Sequence, residues 1–409
     1  KVETSALPAQ YGYHSTAAVS AVTKSGTNEF HGDLFEFLRN GNLNARDFFA
    51  SQRDSLKRNQ WGGVIGGRII KDKLFFFAGY QRTSQRSDPA SNTGYVPTAR
   101  MIGGDFSIFA STACQSKAYT LPSSLGFSGN KISPALLSPV GVKFAQTFPA
   151  ALNECGLTKY GFIANSDEDL PVGRIDYQKS EKHSIFGRYN AGNLNRTSTF
   201  DGKHPLSVNN YGVHDLDYQI ALGDTYLVSP TIVNQFRVSA ARTNIVKVDD
   251  TYASWATFGA NYTPIGGATM VTTVSGGLGF NVGSTGNVPG QSHNGPAWSI
   301  SDDVSWVKGN HQLGFGYNIY KQGMNYWSGL NAVGSSAFNG VYTGLGNAAN
   351  GLGMADLLLG QASAFSQGTT YGFYNRQYYM ASYLQDSWRA TRHLTVNIGL
   401  RWEPYLSQY

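Results

Sequence analysis

The chain has 409 residues, a formal net charge of +6 and a charged fraction of 14%, well under the roughly 25% of an ordinary soluble domain. With 48 glycines, 24 tyrosines, 23 phenylalanines and 7 tryptophans, about a quarter of its positions are glycine or aromatic, which excludes disorder for most of it. The glycines keep no three-residue period, which excludes collagen, and no run of about 18 uncharged apolar residues occurs, so any crossing of a membrane falls to strands.

In chain order, 17–24 reads as a short strand followed by the turn Ser25-Gly26-Thr27-Asn28, and the first long strand begins near Phe30. Strands 61–69 and 74–82 are joined by the tight turn Ile70-Lys71-Asp72-Lys73, and 173–178 and 183–191 by Lys179-Ser180-Glu181-Lys182. Ser229-Pro230 joins 218–228 to 231–245, Lys308-Gly309-Asn310 joins 298–307 to 312–320, and Ala390-Thr391-Arg392 joins 378–389 to 394–405. Between the hairpins run long connections, near 41–57, 88–168, 196–211, 247–296 and 326–374, longer than compact soluble domains use. Inside them, Ser133-Pro134 is expected to open a helix with Leu137, Val140, Phe144 and Phe148 on one face, and 350–359 to form a short helix ending at Gly360; their apolar faces are expected to pack the loops together.

Strict alternation of short and long connections sets every tight turn on one edge of an antiparallel meander and every long loop on the other. That is the plan of an outer-membrane barrel. Strands of about ten to twelve residues, tilted near 45°, span its apolar band of roughly 25 Å. Within the strands, Val396, Ile398, Leu400 and Trp402 alternate with polar residues, as do Ile175 and Tyr177. Alternation assigns Arg174, Asp176, Arg188, Gln235, Arg237, Asn397, Arg401 and Glu403 to the wet face, which in a barrel is the lumen. In a soluble sandwich the oily face would lie inside instead. Phe75, Tyr177, Tyr226, Trp306 and Trp388 stand beside the tight turns, as in an interfacial girdle.

No catalytic constellation emerges, and neither an enzyme nor a cofactor is expected. Gly344-Leu345-Gly346-Asn347-Ala348-Ala349 lacks the strand that a dinucleotide fingerprint needs. Asp302 and Asp303 are neighbours on a strand and point to opposite faces, so they cannot share acid-base work. His204 and His214 with Asp215 and Asp217 match no metal spacing, so no metal site is expected; Asp167-Glu168-Asp169 reads as solvated rather than as a cation site. The charge is too dilute for nucleic acid. Tyr326, Trp327, Tyr371, Phe373 and Tyr374, at the roots of the last long loop, are the candidate ligand contacts, with packing or girdle roles as the alternative. Cys114 and Cys155 share the longest loop, where an oxidising compartment favours one disulfide.

Four stretches carry a family resemblance. They are 22–40, from Val22-Thr23-Lys24-Ser25-Gly26-Thr27 to Leu38-Arg39-Asn40; 71–80, Lys71-Asp72-Lys73-Leu74 to Ala78-Gly79-Tyr80; Val96-Pro97-Thr98-Ala99-Arg100 with Gly104-Asp105-Phe106-Ser107; and Tyr383-Leu384-Gln385-Asp386-Ser387-Trp388 with Leu394 to Arg401. Together they resemble TonB-dependent outer-membrane receptors of the Oar-like kind. The resemblance implies an all-β fold, an antiparallel transmembrane β-barrel of about 22 strands around a plug, in the outer membrane of a Gram-negative cell. The chain then divides into the C-terminal end of the plug, 1–28, and the N-terminal half of the barrel, 29–409, with about eleven strands; both ends are expected to continue in a longer product, since an odd number of strands does not close a bacterial single-chain barrel and the last strand lacks a partner. The implied partners are outer-membrane lipid and lipopolysaccharide, TonB through a preceding segment, and a bulky or scarce ligand such as an oligosaccharide, peptide or metal chelate. Two alternatives stand beside transport: an adhesion or structural barrel presenting its loops, and a secreted soluble β-rich glycan-binding protein or hydrolase.

Overall fold

The structure, a computed structural model, describes the chain outside residues 1, 4–6, 13–17, 20–21, 47, 49–52, 88–91, 249–251, 266–268, 284–289, 330 and 405. Eleven strands form one sheet: β1 His31–Asn40, β2 Lys57–Ile70, β3 Leu74–Arg86, β4 Ser166–Ser180, β5 His183–Arg196, β6 Gly212–Ser229, β7 Ile232–Val248, β8 Gly290–Lys308, β9 His311–Ser328, β10 Tyr371–Arg389 and β11 Thr395–Trp402. Each pairs antiparallel with its neighbours in sequence, so the order β11 to β1 is a plain meander with β1 and β11 at its edges. The five tight turns join β2–β3, β4–β5, β6–β7, β8–β9 and β10–β11 as the spacing requires. Asp72 and Gly309 take left-handed backbone there, a conformation that short polar turns need.

The strands are longer than alternation in the sequence indicates. Nine have 13 to 19 residues, and β4 begins at Ser166 rather than near 173. The added length lies toward the long loops, where the apolar–polar alternation fades while backbone pairing continues. At the N-terminus, Val2–Glu3 pairs with Ala18–Val19 in a separate two-residue ladder. Of the expected strand 17–24, Ala17, Ser20 and Ala21 lie outside the described residues, as does Tyr405 at the expected end of the last strand.

The long loops fold together into a cap with its own core. Asn92–Tyr95 pairs with Leu157–Tyr160, and a four-stranded sheet joins Phe280–Val282, Val271–Val274, Ser335–Phe338 and Ala364–Ser366. Three short helices complete it: α1 Ala99–Ile102, α2 Pro139–Ala145 and α3 Gly353–Leu359. The expected helix at Ser133 starts later, because Ser133-Pro134 opens only a single 3-10 turn and Ser138 caps α2 instead, its hydroxyl accepting from the Gly141 N–H. α3 ends at Gly360, whose φ of 72° fits the C-terminal role foreseen for it. Gly141 lets α2 touch α3, since a Cβ there would stand 2.4 Å from the Leu357 carbonyl oxygen.

Phe144 is fully buried at the centre of the cap, its ring centroid 5.1 Å from Phe148, 4.9 Å from Trp255 and 5.4 Å from Phe258. Met101, Phe106, Leu206, Met270, Leu352 and Leu358 extend the same core, so four separate loops contribute to it. Asp356, wholly buried, accepts from the Thr343 hydroxyl at 2.7 Å and from the backbone N–H groups of Thr343 and Tyr342 at 2.9 and 3.2 Å. Cys114 and Cys155 are joined by a disulfide across a separation of 41 residues.

Candidate functional site: two faces of one sheet

Register determines which side chains share a face. Phe76, Ile175, Gly187, Leu222, Val238, Ile300, Ile319 and Met380 lie opposite one another in a single row across eight strands. On the same face, two and four residues from this row, lie Ile220, Ala240, Phe236, Phe315 and Leu384, with Asp224 and Asp302 among them. Ile175, Leu222, Leu384 and Leu400 are between 51% and 74% exposed, and a contiguous apolar surface of this size is not stable in water. The run has a defined height. On β9 it extends from Leu313 to Ile319 and is followed by Lys321; the ten residue steps from His311 to Lys321, tilted by about 45°, rise about 23 Å, which matches the hydrocarbon band of an outer membrane.

Tyr177, Tyr226, Trp306 and Trp388 lie on this apolar face at its tight-turn end. Phe75 does not. It pairs with Asp176 on the opposite face, because strand β3 starts at Leu74 and parity sends Phe76 outward. Toward the same end of the apolar face three carboxylates are each matched by a neighbour: Asp224 with His183 at 2.7 Å, Asp302 with the Asn234 amide at 2.6 Å, and Asp386 with His311 at 2.7 Å. His311 stacks on Trp388 with planes 2° apart. Composition hid these pairs, although an aspartate two residues before Tyr226 and before Trp388 is a recognisable signal.

Arg174, Asp176, Arg188, Gln235, Arg237, Asn397, Arg401 and Glu403 all lie on the polar face. Arg174 is held by Asp176 at 2.7 Å and lies over the Phe186 ring, 4.7 Å from its centroid. Arg237 contacts Asp303 at 3.1 Å and donates to Gln235 at 2.9 Å, and the Tyr383 hydroxyl donates to the same Asp303 at 2.7 Å. Asp302 and Asp303 therefore serve different faces. Arg401 pairs with Glu403, and Asn397 accepts from Ser387. Arg188 faces Arg174 directly, and its Nε is buried without a hydrogen-bond partner among the described residues.

Residues near the N-terminus lie against this polar face. Arg401 donates to the carbonyls of Ala9 and Gln10, both at 3.2 Å, and the Gln10 N–H donates to Gln385. Seven strands away, Arg174 donates to the Thr23 hydroxyl at 3.0 Å and Ser25 donates to Asp176 at 2.7 Å. Sequence reasoning did not find these contacts, since nothing in residues 9–25 marks their partners.

The five aromatic candidates divide between faces. Tyr326 and Phe373 stack, 6.3 Å apart and 14° from parallel, with Tyr371 edge-on to Phe373 at 5.2 Å; all three are on the polar side. Trp327 and Tyr374 alternate to the apolar side. His204 and His214 are not brought together: the His204 ring lies by Thr158 and accepts from the Leu206 N–H, while His214 meets Asn195. Asp167 and Asp169 are engaged by Arg86 and Arg82 at 2.7 and 2.9 Å. Among the described residues no group of three or more metal-ligating side chains forms.

In the cap, burial shifts several groups. His204 is held below the usual imidazole value by desolvation, against the opposing pull of Asp201. Tyr252 is pushed up to about 12 by burial despite a hydrogen bond with Thr147. Hydrogen bonds from Ser107, side chain and backbone, together with Arg100, hold the Asp105 carboxyl well below its ordinary range against desolvation.

The family model described as outer membrane beta barrel domain matches residues 22–409. The chain is similar to the TonB-dependent transporter Oar of Myxococcus xanthus, 34% identical over 79 residues, which is 17% of this chain and 7% of that protein. Among solved structures it is similar to the outer membrane transporter YddB from Escherichia coli, with a TM-score of 0.45 and 10% identity over 98% of this chain and 42% of that one. The siderophore receptor PirA from Acinetobacter baumannii gives a TM-score of 0.44 and 11% identity over 97% of this chain and 42% of that one. This chain thus spans under half the length of each of these proteins.

Proposed function

The chain belongs to the outer membrane beta barrel domain family, and from that premise we propose that its sheet is part of the wall of a TonB-dependent transporter that takes up a bulky or scarce ligand. Its location is the outer membrane. The observation that carries the transport reading is a sheet with one apolar and one polar face whose polar face holds Ala9 and Gln10 at one place and Thr23 and Ser25 at a distant one by hydrogen bonds. An apolar face turned to lipid leaves the polar face to a wet lumen, and residues 1–28 then act as the end of a plug seated on the wall, with 29–409 as the wall itself. Arginine and aspartate pairs on that wall offer contacts that a plug can make and release. They do no chemistry.

In this reading the ligand is an oligosaccharide, peptide or metal chelate, and Tyr326, Tyr371 and Phe373 meet it at the lumen side of the last long loop. TonB acts through a segment that precedes the plug. The test is growth of the source bacterium under limitation for each ligand class in turn, with this gene deleted, with TonB deleted, and with both. Transport predicts at least one condition in which each deletion slows growth and the double deletion adds nothing. Slowed growth that is the same with or without TonB would replace transport by the second reading, a barrel presenting its loops, which the separate core of the cap favours.

A further inference from the structure

On the long-loop half of the polar face, β9 and β10 form a ladder of side chains that carries no charge. In register its pairs are Tyr320 with Tyr379, Gln322 with Gln377, Met324 with Asn375, Tyr326 with Phe373 and Ser328 with Tyr371. Neither strand places an aspartate, glutamate, lysine or arginine on this face over that length. The same half of the face is charged on earlier strands, with Arg39 opposite Arg58 on β1 and β2, Arg196 on β5, and Asp215 and Asp217 on β6.

Aromatic platforms stand at both ends of the ladder, with carboxamides between them. At the upper end Tyr326 stacks on Phe373 and Tyr371 stands edge-on, and Phe373 and Tyr371 are exposed. At the lower end the Tyr379 hydroxyl donates to Glu403 at 2.5 Å and accepts from Arg401 at 3.0 Å, so its ring is held in place through its oxygen. The side chains of Gln322 and Asn375 make no hydrogen bond among the described residues, and that of Gln377 accepts from Gln408 at 3.4 Å. From Tyr320 to Tyr326 the strand runs about 20 Å, the length of several sugar rings in a row.

The chemistry of the ladder narrows the ligand. A charged ligand set against uncharged groups loses hydration and gains no counter-charge, which argues against an anionic metal chelate and against a peptide with ionised ends. A carboxamide both donates and accepts, so it meets a hydroxyl in either sense. An aromatic ring offers a broad apolar face to the C–H side of a pyranose. We propose that Tyr320, Tyr379, Gln322, Gln377, Tyr326 and Phe373 form a binding site for a neutral, unbranched oligosaccharide long enough to reach both platforms. The site rests on the transport reading, which makes the polar face the wall of the lumen.

The protein containing this chain, purified in detergent, is titrated calorimetrically with maltohexaose, cellohexaose, xylohexaose and mannohexaose, and with hexagalacturonate and a ferric catecholate as charged probes. At least one neutral hexasaccharide is expected to bind, and both charged probes to bind at least about tenfold more weakly. Gln322→Glu/Gln377→Glu keeps side-chain size while removing two donors and adding charge, and Tyr326→Ala/Phe373→Ala removes one platform; each is expected to weaken binding at least about tenfold. The ring-preserving Tyr326→Phe/Phe373→Tyr is expected to bind nearly as wild type does, and Gln85→Glu, on β3 of the same face, to bind fully. Binding of none of the four neutral probes, equal binding of a charged probe, unchanged binding by Gln322→Glu/Gln377→Glu, or an equal loss in Gln85→Glu overturns the site. Transport is read separately, as uptake of the bound hexasaccharide by cells with and without TonB. Uptake indifferent to TonB overturns the transport reading and leaves the site standing, whereas TonB-dependent growth on another ligand with no hexasaccharide bound overturns the site alone.

Discussion

At the scale of single residues, the contrast between neighbours on one strand tests which face meets lipid. Ile300 lies between Val238 and Ile319 on the apolar face, and the next residue back, Ser299, shares a hydrogen bond with Ser239 on the polar face. Ile300→Arg is expected to destabilise the protein by about 2 to 4 kcal/mol in a bilayer, and Ser299→Ala by about 1 kcal/mol or less. Urea titrations in vesicles give both values. Equal costs would argue that Ile300 is packed on protein. His204 supplies a second test, outside the membrane. Its pKa is lowered by burial, so below about 6.5 the unfolded chain binds a proton that the folded cap resists, and stability falls with falling pH until the folded value is passed. His204→Asn keeps an acceptor near the Leu206 N–H and has no proton to gain. Thermal unfolding of the cap at pH 7.5 and 5.5 should show a larger drop for wild type than for His204→Asn, and parallel drops would assign the acid sensitivity elsewhere.

At the scale of elements, the hairpins were legible from the residues because tight turns, strand parity and the spacing of long loops all constrain one another. Arg174, Arg237 and Arg401 reached the polar face by parity alone. Phe75 shows where nearness to a turn misleads: closeness says nothing of facing, and one residue of offset reverses it. The cap was the least legible element. Its short strands have three or four residues, and one pair is parallel, Val271–Val274 with Ser335–Phe338, across a separation that leaves no local pattern. The amphipathic marks at Phe144 and Leu358 were visible, but their partners lay in other loops. The disulfide allows a direct measure of this element. By the loop-entropy estimate, Cys114→Ser/Cys155→Ser should lower cap stability by about 4 kcal/mol, read as faster trypsin cleavage at Lys117, Lys131 and Lys159 with the sheet still protected. Unchanged cleavage would show that packing around Phe144 alone holds the segment.

At the scale of the whole molecule, one meander with tight turns at one rim and a folded cap at the other predicts sidedness. Cysteine at Ser128, exposed in the cap, should react with an impermeant maleimide on intact cells, and cysteine at Ser180, in the β4–β5 turn, only after the outer membrane is breached; reaction of both from outside would reject the orientation. Membership in an outer-membrane barrel family sets aside the soluble β-sandwich that alternation alone left open. The cap also bears on the order of assembly. Its core draws on Val96 near one end and Leu358 near the other, so it closes only over contacts very distant in sequence. Those contacts meet when β3 through β10 are already side by side, whereas the disulfide lies within a single loop and has no such requirement. Resistance of the cap to protease should therefore arise last during insertion, and it offers a clock for wall assembly that can be read from outside the cell.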